Sequence, residues 1–205
     1  MANRKTTRST GRKPGQSARE RQEALASANP VTTFFARQLG MNTAEQAWDA
    51  GAEGEEHVGG LLNQLRSAGW LVMHDLKVGR GGANVDHLVV GPPGVFVIDT
   101  KNVQGNVWVG GSNIMVNGFF KDYVEKLEVQ ALLVRDRLRA EAGRASRWVQ
   151  GLLVFVEPDL TVKEQPKNIK VFDDQQLLPA LVSWRKRHDP KEVAELAQAA
   201  RAIWV

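Results

Sequence analysis

The chain has no cysteine among its 205 residues. That absence excludes disulfides, thiolate metal sites and a thiol nucleophile, and it fits a reducing compartment such as the cytoplasm. No stretch approaches the ~18 apolar residues of a membrane-spanning helix, so no membrane partner is expected. The basic N-terminus has no apolar block behind it, which argues against a secretory signal. An acidic surplus is also missing. Lys and Arg number 27 against 23 Asp and Glu, a formal net charge of +4, which leans towards a polyanionic partner.

The positive charge is uneven. Arg4, Lys5, Arg8, Arg12, Lys13, Arg19 and Arg21 crowd the first segment among Ser, Thr, Gly and Pro. Such a segment buries too little apolar area to fold alone. Residues 1–30 are therefore expected to be a disordered basic tail, either a solubilising one or an arm that binds phosphates without regard to sequence. Residues 31–49, with Val31, Phe34, Phe35, Leu39 and Trp48, read as a short helical lead-in. The main domain is expected over 50–205.

Within it, Val58, Leu61, Leu62 and Leu65 repeat at helical spacing over 52–67, with Gly69 as a stop. Residues 70–76 read as a strand, and Gly79-Arg80-Gly81-Gly82 as a flexible basic loop in which Arg80 could hold a phosphate. Strands over 84–90 and 95–101 are joined by Gly91-Pro92-Pro93-Gly94, a strong turn signal. A hairpin around Gly110-Gly111 joins 105–109 to 113–120. A long amphipathic helix spans 121–142. Strands follow at 148–156 and 169–172, then helices at 175–185 and 190–203, with Pro190 suited to a first turn. This order implies an α/β architecture, a central mixed sheet flanked by helices.

The most informative pattern is Asp99-Thr100-Lys101, which closes the apolar run Val95-Phe96-Val97-Ile98. Residues two apart on a strand share a face, so Asp99 and Lys101 point the same way. With Gly91–Gly94 as a four-residue loop, Val90 pairs with Val95, Leu88 with Val97 and Asp86 with Asp99. Two like charges side by side destabilise a strand pair unless something offsets them, and a divalent cation does so. The bland alternative is a pair of exposed strand-end acids with Lys101 in a surface ion pair. Glu53, Glu55 and Glu56 offer a third acid from the first long helix. Glu55 precedes Val58 by three residues and Leu62 by seven, which puts it on the inward face, with Glu56 nearer solvent. His87 alternates to the face opposite Asp86 and reads as structural. His57 and His74 show no metal spacing. The six tryptophans are scattered and read as core or interface anchors, not as a base-stacking platform.

Several of these segments together, Gly-Ala-Glu-Gly-Glu55 opening a helix, Asn-Val-Asp86-His-Leu-Val-Val-Gly, and Gly-Val-Phe-Val-Ile-Asp99-Thr-Lys101-Asn, resemble the nuclease-related domain. That family is a branch of the PD-(D/E)xK nuclease superfamily, which includes restriction endonucleases and archaeal Holliday-junction resolvases. The resemblance covers roughly residues 50–180. It implies a restriction-endonuclease-like fold and a magnesium-dependent (or manganese-dependent) site that hydrolyses phosphodiesters of nucleic acid, DNA in the first instance. It assigns metal binding to Glu55, Asp86 and Asp99; the carbonyl of Thr100, whose strand position borders the site, could add a ligand. Lys101 would orient the attacking water or offset developing charge. Gln130 would correspond to the glutamine of the following helix, or else be a helix-surface residue. Val85 stands where the superfamily often has proline, and Lys126-Leu127 where an Asn-Pro pair often precedes the glutamine. The competing expectation is a nuclease fold that binds nucleic acid or a protein partner without cutting.

Overall fold

A computed structural model describes residues 11–28, 44–78, 84–142 and 148–205. The Arg80 loop, most of the 31–49 lead-in and the first basic residues lie outside them. Five strands form the central sheet: β1 (Leu71–Lys77), β2 (Asn84–Gly91), β3 (Gly94–Lys101), β7 (Val149–Phe155) and β9 (Ile169–Asp173), side by side in that order. β1, β2 and β3 are antiparallel, whereas β3, β7 and β9 run parallel. The sheet is mixed, as the element order implies.

Both faces are covered. One carries α2 (Ala44–Asn63) and α4 (Asp174–Ser183), which bury Val58, Leu62, Leu177 and Leu181 on Val89, Phe96, Ile98, Leu152 and Val154. The other carries α3 (Tyr123–Ala142) and α5 (Pro190–Trp204), packed with Leu127, Val134, Leu138 and Leu196 on Leu88, Val97 and Leu153. The 3₁₀ turn after α2 ends where Gly69 takes the left-handed conformation at φ 83°, which costs glycine nothing. Asp189 caps α5 through Glu192 N–H, with Pro190 in the first turn. No described helix is long and apolar enough to cross a membrane.

A second sheet is built from the three strands between β3 and α3 and one that follows β7. It comprises β4 (Asn106–Gly110), β5 (Asn113–Val116), β6 (Phe119–Lys121) and β8 (Asp159–Glu164), in the order β6-β5-β4-β8. The hairpin expected over 105–120 is thus three strands. Asn117 and Gly118 have φ of 51° and 83°, the left-handed pair that closes a two-residue hairpin and splits the run. β8 carries mostly exposed polar residues. It exists because β4 offers it a parallel partner, a long-range cause that a local pattern does not display.

The N-terminal segment departs from expectation. Gln16–Ala28 form a helix, α1, that packs on α2. The tail is therefore structured from residue 11 to residue 28. The cause is one buried acceptor: Asp75 Oδ2 takes Arg12 Nε–H at 2.6 Å and Ser17 N–H at 3.1 Å. Composition could not reveal a partner 63 positions away.

Candidate functional site

The β2–β3 register pairs Val90 with Val95, Leu88 with Val97 and His87 with Ile98. Gly91 also pairs with Gly94, so the turn proper is Pro92-Pro93. The ladder ends at His87–Ile98; one further step in the same register would set Asp86 across from Asp99, and the two acids are near enough for Asp99 to raise the Asp86 carboxyl. On the other side of β2, the ladder pairs His74 with His87 and Leu76 with Val85 and skips Asp75 and Asp86. Asp75 takes a left-handed φ of 53° and turns its carboxylate to Arg12 and Ser17, while Asp86 feels the charges of Asp99 and Glu55.

Each acid has a different neighbourhood. Asp75 is 1% exposed and fully engaged, since Asn84 Nδ2 donates to its second oxygen at 2.6 Å. Asp86 accepts the Thr100 N–H at 2.7 Å. Burial, with the charges of Asp99 and Glu55 behind it, raises the Asp86 carboxyl well above the usual carboxylate range. Asp99 Oδ2 lies 2.5 Å from Lys101 Nζ. Burial works against the Lys101 cation, but Asp99 and Asp86 outweigh it and hold the ammonium charged. Lys101 Nζ also sits 3.5 Å from the Thr100 carbonyl and 5.0 Å from the centre of the Tyr123 ring.

Glu55 reaches the same place from α2. It is half-buried, while Glu53 and Glu56 are exposed, and Glu56 pairs with Arg19 at 2.5 Å. The helix comes this close because residue 54 is glycine. A Cβ there would stand 2.7 Å from Asn102 Cβ, just past the end of β3. Burial raises the Glu55 carboxyl to about 7, and Asp75 and Asp99 push the same way, against the Gly15 N–H and Lys101.

Gln130 lies on the inward stripe of α3, not on its surface. Its Nε2 donates to the Asn84 carbonyl at 2.8 Å, and its buried Oε1 has no hydrogen-bond partner among the described residues. The Thr100 side chain faces away, towards His87 Nε2 at 3.3 Å. There a buried chain runs on, His87 Nδ1 to His74 Nδ1 at 2.9 Å and His74 Nε2 to Asn63 Oδ1 at 3.1 Å. Burial lowers His74 to about 4 and His87 well below the histidine range, so both are neutral and one Nδ1 carries the proton between them.

Three features suit a hard divalent cation: oxygen donors only, carboxylates that raise one another's pKa, and an unpartnered buried amide oxygen on the neighbouring helix. Against a rigid cage, no three His, Asp or Glu side chains among the described residues converge as a ready-made metal cluster. Mg²⁺ needs only one or two carboxylates and keeps several waters, so Asp86 and Asp99 with water would be enough donors for one. Asp75, Arg12 and Gly15 were not expected at the site. Asp75 gave the same signal as Asp86, an acid interrupting an apolar strand.

The sequence profile described as "Nuclease-related domain" matches residues 50–156, just over half of the chain. An uncharacterized protein of Bacillus anthracis is 35% identical over 65 residues, 30% of this chain and 30% of its own length. No solved structure matches.

Proposed function

Because the chain belongs to the nuclease-related domain family, we propose that it is a magnesium- or manganese-dependent nuclease that hydrolyses phosphodiesters, with DNA as the first substrate to test. The observation that carries this reading is the Lys101–Asp99 pair at 2.5 Å, set one strand from Asp86 at the end of β3.

Asp86 and Asp99 would hold the ion, with Glu55 joining directly or through water and the Thr100 carbonyl at its edge. Once bound, the ion supplies positive charge to a phosphate oxygen and acidity to a coordinated water. The protein's own share is arrangement and charge. The Thr100 N–H fixes one oxygen of Asp86, and among the described residues no hydrogen bond engages the other. Lys101 keeps its proton because two carboxylates surround it, so it can donate to the attacking water or to a phosphoryl oxygen as negative charge builds. Tyr123 confines the ammonium from the α3 side. Glu55, raised to about 7, sits near neutrality and can hold or release a proton beside the site. Gln130, through the Asn84 carbonyl, steadies the start of β2.

The test is incubation with linear, nicked, branched and single-stranded DNA in Mg²⁺, Mn²⁺ or EDTA. Loss of cleavage in EDTA and in both Asp99→Ala and Lys101→Ala is expected. Cleavage that persists in either variant would refute the site. That no three His, Asp or Glu side chains converge among the described residues favours a second reading, a nuclease fold that only binds nucleic acid. Tight, salt-sensitive binding without cleavage of any substrate would support it.

A further inference from the structure

The second sheet has an inner and an outer face. Val107, Val109, Ile114 and Val116 are buried inward. The ladder pairs Trp108 with Met115 and Met115 with Phe120, so these three alternate outward in one row across β4, β5 and β6. Trp108 and Met115 are half-buried, while Phe120 and its neighbour Phe119 are each 72% exposed. Trp108, expected from the sequence to be a core or interface anchor, keeps part of its surface exposed. Its six-membered ring occupies the space a Cβ on Gly110 would take, so glycine at 110 makes room for the ring on this outer face.

The row is tied to the proposed catalytic end of β3 by short chain. Phe120 precedes Tyr123 by three residues, and the Tyr123 ring lies 5.0 Å from Lys101 Nζ. Three residues span at most about 11 Å. Lys121, exposed, ends β6 between them. The far edge of the sheet, β8, is mixed in charge, with Lys163 between Asp159 and Glu164.

We propose that the outer row Trp108–Met115–Phe120 is a stacking platform for unpaired bases, which makes single-stranded or splayed nucleic acid the substrate class; this rests on the nuclease reading. Aromatic faces take any base, because each has a π-face, and they need the base unstacked from its own helix. Duplex DNA hides those faces and has no use for the platform. Trp108 and Phe120 lie two strand spacings apart, about 10 Å, so neighbouring bases can engage both while the backbone turns towards Lys101 past Lys121.

The test measures binding of the full chain in EDTA, where no cleavage is expected, by fluorescence anisotropy. The probes are mixed-sequence single-stranded 20-mers of DNA and RNA and a hairpin duplex of the same sequence. Phe120→Ala and Trp108→Ala should each weaken single-strand binding about tenfold and leave duplex binding unchanged. Phe120→Trp should restore it and Phe120→Leu should not. Photocrosslinking of 5-iodouridine probes should map to Trp108 or Phe120. Equal loss on both probes, rescue by Phe120→Leu, no single-strand binding at all, or no change would overturn the platform. So would a dimer that Phe120→Ala dissociates without affecting the 20-mers, which would mark the face as an interface between two copies. Cleavage that survives loss of the platform leaves the nuclease reading standing. Platform binding without cleavage in Mg²⁺ sinks that reading alone.

Discussion

Arg12 Nε donates to Asp75 Oδ2 at 2.6 Å, and this contact fastens the N-terminal segment to the first strand of the central sheet. The acid is buried and the guanidinium is about one-third exposed, so solvent screens part of the pair. Among the described residues, Arg12→Ala leaves the buried carboxylate with Ser17 N–H and Asn84 Nδ2 as its donors. The expected cost is about 1–3 kcal/mol, read as a lower urea midpoint with an unchanged slope. A loss under about 0.5 kcal/mol, within the range of ordinary surface substitutions, would show that the segment is not docked in solution.

That contact marks the boundary of what the sequence discloses. The β2–β3 register from Val90–Val95 to Leu88–Val97 was legible because two apolar runs flank a Gly-Pro-Pro-Gly turn, and a period of two leaves little choice once one pair is set. Glu55 was separable from Glu56 because α2 buries Val58 and Leu62 at helical spacing. The helix α1 was not legible, because its docking depends on Asp75, far along the chain. Nor was β8, whose polar residues pair only because β4 lies beside them. Gln130 was ambiguous on the helix alone, and the Asn84 carbonyl that it meets belongs to another element.

Asp86→Asn should separate stability from activity. Without metal, burial and the charges of Asp99 and Glu55 disfavour the Asp86 carboxylate. The amide removes that charge while its oxygen still accepts the Thr100 N–H. In EDTA near pH 8 the variant should be more stable than wild type by only about 1 kcal/mol, because Asp86 is half-buried and solvent screens part of the repulsion. Magnesium should then stabilise wild type by about 2.7 kcal/mol at a hundredfold excess over its dissociation constant, and the variant far less. Thermal denaturation with and without the ion checks both. A variant less stable than wild type in EDTA would contradict the repulsion.

The pH dependence has two opposing parts. Glu55 titrates at about 7 when folded and near 4.5 otherwise. The folded protein therefore binds the extra proton, and this contribution to stability is present below about 4.5 and lost as pH rises to about 7. His74 runs the other way. Its folded value is about 4 against 6.5, so its contribution is present above 6.5 and lost as pH falls towards 4. In metal-free wild type the two partly cancel between pH 7 and pH 5. Glu55→Gln removes the acid's gain on acidification and leaves the histidine loss. Its stability should therefore fall more steeply than that of wild type from pH 7 to pH 5, measured by urea midpoints. Parallel profiles would mean that Glu55 is not held in a buried, carboxylate-rich site.

Two glycines of α2 provide a matched pair of substitutions. Glycine inside a helix costs about 1 kcal/mol relative to alanine, so alanine should stabilise wherever it fits. At Gly60 nothing lies within 4 Å of the added methyl, and Gly60→Ala should gain about 0.5–1 kcal/mol with nuclease activity unchanged. At Gly54 the methyl would meet Asn102 Cβ at 2.7 Å and Thr100 Cγ2 at 3.5 Å. Neither contact is the far end of a flexible side chain, so the helix or the end of β3 must shift. Overpacking of this kind costs about 1–3 kcal/mol, which outweighs the helical gain. The shift would also carry Glu55 away from Asp86 and Asp99. Gly54→Ala should therefore lose stability and at least tenfold in cleavage rate, while Gly60→Ala on the same helix loses neither. Equal effects at both positions would mean that α2 does not press on the end of β3 as closely as residue 54 requires.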